Sequence, residues 1–138
     1  MKHLAFVAIA FLFVGASFLT AAPAQTVKES TGVELYKECQ LAVRGVTARN
    51  LSDAELSDAN YCMGYMLGIK DMQSTWNETN KQYNHSELSL ICIPQDATVF
   101  ELMKVVIKYL DDHPTTLHDE RGLVVLKALL VNYPCREH

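Results

Sequence analysis

Four cysteines constrain this chain more than anything else in it. Cys39, Cys62, Cys92 and Cys135 stand at gaps of 23, 30 and 43 positions in a chain of 138 residues. Their meaning depends on the compartment. In an exported chain of this size an even count reads as a disulfide framework, whereas in the cytosol it would suggest metal or redox chemistry. The N-terminus decides between these. Lys2 and His3 form a short positive end, Leu4 to Leu19 is apolar or small without a charge, and Ala22-Pro23-Ala24 offers small residues where signal peptidase reads. Residues 1–24 therefore read as a cleaved signal peptide, with residues 25–138 as one domain. A cut after Ala22 fits nearly as well. The apolar run is shorter than the roughly 20 residues of a spanning helix. Lys104, Lys108 and Lys127 interrupt the later apolar runs.

With export, two disulfides become the expectation. Zinc favours closely spaced Cys pairs, which are missing here. A thiol redox site needs the low-pKa thiolate of a Cys-x-x-Cys, also missing. The formal charge of −4 becomes −5 once Lys2 is removed. That acidity argues against non-specific nucleic-acid binding, which needs a basic face to displace counterions from phosphates. An apolar share of 49% and a charged share of 20% are those of a folded globular domain.

Local signals predict four helices and no strands. Three capping boxes, Thr31/Glu34, Ser52/Glu55 and Thr98/Glu101, place helix starts. The first helix is expected over about 33–43, the second over 53–74, the third over 99–112 and the fourth over 117–133 with Thr116 as N-cap. In the second, Cys62, Met66, Ile69 and Gln73 form one stripe, and Tyr61, Gly64, Tyr65, Gly68 and Met72 the next. Gly64 and Gly68 either admit a neighbouring helix or subunit, or are simply tolerated at about 1 kcal/mol each. The polar stretch from Trp76 to Leu90 is expected to be a long loop. Its Asn77-Glu-Thr and Asn84-His-Ser, like Asn50-Leu-Ser, are best read as chance sequons. His113-Pro114 ends the third helix. The fourth is apolar on most sides from Leu123 to Tyr133, so it is central or lies at an interface. The fold class is an all-α, four-helix, bundle-like domain stapled by two disulfides. Four cysteines allow three connectivities. If the third and fourth helices run antiparallel, Cys92 and Cys135 are neighbours, which favours Cys92–Cys135 with Cys39–Cys62.

No catalytic motif is present: no Gly-x-Ser-x-Gly, phosphate loop, His-Glu-x-x-His or EF-hand loop. His113 and His118 stand near Asp111, Asp112, Asp119 and Glu120, but exposed polar residues in a turn are far commoner than ligands. No metal and no cofactor is expected, and binding is favoured over catalysis.

Several motifs occur in order: Leu35-Tyr36-x-x-Cys39, Cys62-Met-Gly64-Tyr65-x-x-Gly68-x-x-Asp71, Cys92-Ile93-Pro94, Val105-Val106-x-x-Tyr109-Leu110-x-x-His113-Pro114, His118, and Ala128-Leu129-x-x-x-Tyr133-Pro134-Cys135. In this the chain resembles the Rap/Tai family of type VI secretion amidase immunity proteins. The resemblance implies a periplasmic helical protein that binds and blocks a peptidoglycan amidase effector. It also implies dimers and a loop pushed into the effector's catalytic groove. Two segments suit such a contact. The turn Asp111-Asp112-His113-Pro114-Thr115-Thr116 is short and braced by two helices, so Asp111, Asp112, His113 and Thr115 are candidates. Trp76 and Tyr83 are candidate aromatic anchors. Competing readings are a periplasmic acid-stress chaperone and a carrier of small apolar ligands, the latter with a cavity among Met63, Met66, Leu102 and Val106.

Overall fold

The structure is a computed structural model, which describes residues 30–47, 50–85 and 89–135. The signal peptide expected over residues 1–24 lies outside the described residues. Helix α1 spans Gly32–Thr47, α2 Asp53–Gln82, α3 Val99–Asp112 and α4 Arg121–Asn132; a 3-10 helix, Pro114–His118, precedes α4. No strand occurs among the described residues. None of their helices is long and apolar enough to cross a membrane.

The helix starts follow the capping boxes. Ser52 Oγ accepts from the Glu55 amide while the Glu55 carboxylate takes the Ser52 amide, and Thr98 and Glu101 do the same for α3. In α1 the Thr31 hydroxyl donates to the Glu34 carboxylate. The Ser52/Glu55 and Thr98/Glu101 boxes satisfy amides that the first helical turn would otherwise leave bare. Glu55 gathers more: Arg44 Nη2 donates to it at 2.5 Å. The Ser52 amide and hydroxyl, with Arg44, hold its carboxyl down at about 2, against 4.5 ordinarily. A depressed acid stabilises the fold above its unfolded pKa and loses that effect as pH falls through the folded one. The Glu55 contribution should therefore be complete at neutral pH and vanish between pH 4.5 and about 2. Urea unfolding of the wild type and Glu55→Gln over that range should converge at the acid end. Parallel curves would refute the assignment.

The core is one cluster contributed by all four helices. Leu35 and Cys39 of α1, Cys62 and Met66 of α2, Leu102, Val106 and Leu110 of α3, and Val124, Val125, Ala128 and Leu129 of α4 are buried together. Helix α1 touches every other element. Its first turn is stitched to the start of α4 by Gly32 N donating to Asp119 O and Arg121 N donating to Ser30 O, at 2.9 and 2.8 Å. Gly32 is required there. A Cβ would stand 2.9 Å from Leu117 O, closer than a carbon can approach a backbone oxygen without displacing it. The two disulfides are Cys39–Cys62, joining α1 to α2, and Cys92–Cys135, joining the segment before α3 to the end of α4.

Two expected boundaries are corrected. The second helix does not stop at Ser74 but continues to Gln82, so Trp76 to Gln82 is helical rather than loop. That stretch contains no Gly or Pro to break the helix, and the carboxamides in and just before it are put to use. Gln73 Nε2 and Asn77 Nδ2 both donate to Ile91 O, at 2.8 and 3.0 Å. Asn80, buried, donates to Ser89 Oγ. The helix ends beside Asn84, whose φ of 58° is left-handed. The fourth helix starts at Arg121, not Leu117. Pro114 opens a 3-10 turn instead, and Thr116 spends its hydroxyl on His113 O rather than on a cap for α4. Asp119 and Glu120 are then extended so as to meet Ser30 to Gly32.

Candidate functional site

The turn after α3 is exposed and held from several sides. His113 is at once the C-cap of α3 and the residue that leads into the 3-10 helix. Its ring stacks on Tyr109 with centroids 4.3 Å apart, and its Nδ1 lies 2.8 Å from Tyr109 O. Because a carbonyl can only accept, Nδ1 carries the proton. His113 thus shapes the turn. The Tyr36 hydroxyl donates to Asp111 Oδ1, and this carboxylate raises the phenol's pKa. Lys108 Nζ lies 2.9 Å from Asp112 Oδ2, which raises the lysine's pKa. Asp111, Asp112, His113 and Thr115 are all exposed. They form a rigid acidic knuckle able to offer carboxylate acceptors to a cationic or hydrogen-bond-donating partner. Among the described residues no three His, Cys, Asp or Glu side chains are gathered as a metal would require.

Trp76 and Tyr83 are placed elsewhere. Trp76 is on α2, 52% exposed rather than tucked into the core, and Tyr83 caps the end of that helix at 65% exposure. They belong to a second surface. Tyr61, Gly64, Tyr65, Gly68, Met72 and Trp76 recur every three or four residues, so they share one face of α2. Tyr61 and Met72 are also exposed, and a Cβ added at Gly64 or Gly68 would meet nothing within 4 Å. The two glycines therefore leave a notch on the surface and serve no helix contact among the described residues. The Tyr65 hydroxyl lies near Gly122 of α4, and Leu123 and Leu126 carry exposed apolar surface on along that helix.

Arg121 anchors this surface from below, and nothing in the local sequence pointed to it. It is buried together with Glu38, its Nη1 lying 3.2 Å from Glu38 Oε2. Its guanidinium lies 4.9 Å from the Tyr61 ring centroid and 5.4 Å from that of Tyr65. A desolvated guanidinium over aromatic faces holds those rings in place. The only available signal was an arginine set between a polar turn and an apolar helix. Met63, named for a ligand cavity with Met66, Leu102 and Val106, is on the outside of α2, whereas those three are buried.

The fold and these surfaces define a small helical, disulfide-stapled domain with a rigid protruding turn. The chain belongs to the Rap1a immunity protein family, whose profile matches residues 31–135. No curated protein and no solved structure matches it.

Proposed function

We propose that this protein binds and inhibits a peptidoglycan amidase delivered by type VI secretion, and does so in the periplasm after loss of residues 1–24. Membership of an immunity family supports an effector as the partner. The observation that carries the contact is the acidic knuckle Asp111–Thr115, exposed yet braced by Tyr36, Tyr109 and Lys108. A rigid turn enters a groove with little ordering cost, and its carboxylates can bond the protonated histidine of a Cys-His catalytic pair. Trp76 and Tyr83, together with the Tyr61–Met72 face, serve a different contact, a homodimer through the α2 and α4 surfaces.

The test uses the amidase encoded beside this gene. The mature chain should bind it and abolish its activity, and failure to bind at micromolar concentration would overturn the reading for that pair. Asp111→Lys with Asp112→Lys should weaken binding by about a hundredfold or more through charge repulsion, with melting unchanged. An unaltered Kd would remove the knuckle from the interface. Light scattering of the free chain should give twice the protomer mass, and Leu126→Arg should return it to the monomer. A monomeric wild type would exclude the dimer.

A further inference from the structure

A groove runs along the last turns of α2, on a face that neither proposed contact uses. One wall is the stripe Lys70, Gln73, Ser74, Asn77, Glu78 and Lys81. The other is Ile93-Pro94-Gln95, and the open groove between them holds about 290 Å³. Its walls are fixed. The segment from Ser89 to Ala97 runs antiparallel to α2 and is pinned to it at three levels: Asn80 to Ser89, Gln73 and Asn77 to Ile91, and Lys70 Nζ to the carbonyls of Gln95 and Ala97. On its far side Cys92 N donates to Tyr133 O and Cys135 N to Leu90 O, with the Cys92–Cys135 disulfide between them.

The polar groups lining the groove fall into two sets. Lys70, Gln73 and Asn77 are spent on holding the walls. The Ser74 hydroxyl, the Glu78 carboxylate, the Lys81 ammonium and the Gln95 side-chain amide have no partner among the described residues. Glu78 and Lys81 are three apart on the helix yet are not paired with each other. The free set therefore offers one anion, one cation, a hydroxyl and an amide, beside the apolar plate of Ile93 and Pro94. At roughly 30 Å³ per water the groove displaces on the order of ten waters, the scale of a dipeptide.

We propose that this groove binds a short zwitterionic peptide. Lys81 takes its carboxylate and Glu78 its ammonium. Ser74 and Gln95 meet the peptide amide, and a small side chain lies on Ile93-Pro94. Preformed walls mean that little ordering cost opposes so small a ligand.

The experiment titrates the isotope-labelled mature chain with Ala-Ala and, separately, with its N-acetyl, C-amide form. Ala-Ala should shift amide resonances over residues 70–81 and 93–95 with a Kd on the order of 1 mM. The blocked form, and either Lys81→Gln or Glu78→Gln, should bind at least about tenfold more weakly, since each removes a charge-assisted bond. Both substitutions are at exposed positions, and an unchanged spectrum elsewhere confirms the fold. No shift by ~20 mM, a ligand far below the affinity expected of its size, would overturn the proposal. So would equal binding of the blocked form or indifference to either substitution. The groove is independent of the amidase reading: Lys81→Gln should inhibit the amidase as well as wild type does.

Discussion

Arg121→Ala should destabilise the protein by about 3–5 kcal/mol, the usual consequence of removing one member of a buried ion pair. Glu38 and Arg121 are nearly inaccessible, and they lie on α1 and at the first position of α4. Without the guanidinium, the Glu38 carboxylate would remain in the core beside Leu35 and Cys39 without that charged partner. For a domain of this size the melting temperature should fall by more than about 10 °C. The second consequence is local. Tyr61 and Tyr65 would lose the cation that holds their rings, so the proposed dimer should weaken even where the fold survives. The discriminating variant is the double substitution Glu38→Leu with Arg121→Met. Replacing both charges by apolar groups of similar size should recover most of the stability but not the aromatic anchoring. If Arg121→Ala alone costs less than ~1 kcal/mol, within the range of an exposed pair, the pair is not buried in solution.

The second large effect concerns the staples. In the chain-entropy account, Cys39–Cys62 and Cys92–Cys135, at separations of 23 and 43, contribute about 3.4 and about 4 kcal/mol. Burial works against that order. Cys39 and Cys62 lie in the core, so alanine at both leaves a cavity in addition to releasing the loop. Cys92 and Cys135 are outside the core cluster, and their removal should be felt locally. Cys39→Ala with Cys62→Ala should therefore lower global stability at least as much as Cys92→Ala with Cys135→Ala, despite the shorter loop. Hydrogen exchange should show the latter pair loosening the Ser89–Ala97 segment, the end of α2 and the Ile91–Pro134 bridge, while α1 and α3 keep their protection. Uniform loss of protection in both variants would defeat this division.

How far the fold was legible differs from residue to residue. Ser52/Glu55 and Thr98/Glu101 announced helix starts correctly, because a capping box is a bond between residues three apart. The disulfide pairing also followed, since it needed only the helix order and the short connection between the last two helices. Trp76 to Gln82 misled. Asn and Thr are weak helix formers, and the support of Asn77 and Asn80 is Ile91 O and Ser89 Oγ, from a segment that folds back across them. Thr116 misled for a similar reason. Its hydroxyl had two uses, and the extended Asp119-Glu120 that meets Ser30 to Gly32 settled which one it took. The acidic knuckle was legible as a turn, but Tyr36, which braces it from 75 positions away, was not. Nor was Arg121, whose burial requires Glu38, Tyr61 and Tyr65 together.

By itself, then, the sequence determined a small all-helical domain, its two staples, most of its helix starts and the family to which it belongs. These rest on short-range bonds, helical periodicity and the order of its motifs. Only the tertiary structure decided where α2 ends, where α4 begins, which arginine is buried, and that Gly64 and Gly68 open outward from the chain. Each of those depends on groups far apart in sequence whose hydrogen bonds and desolvation are settled only when the helices are packed.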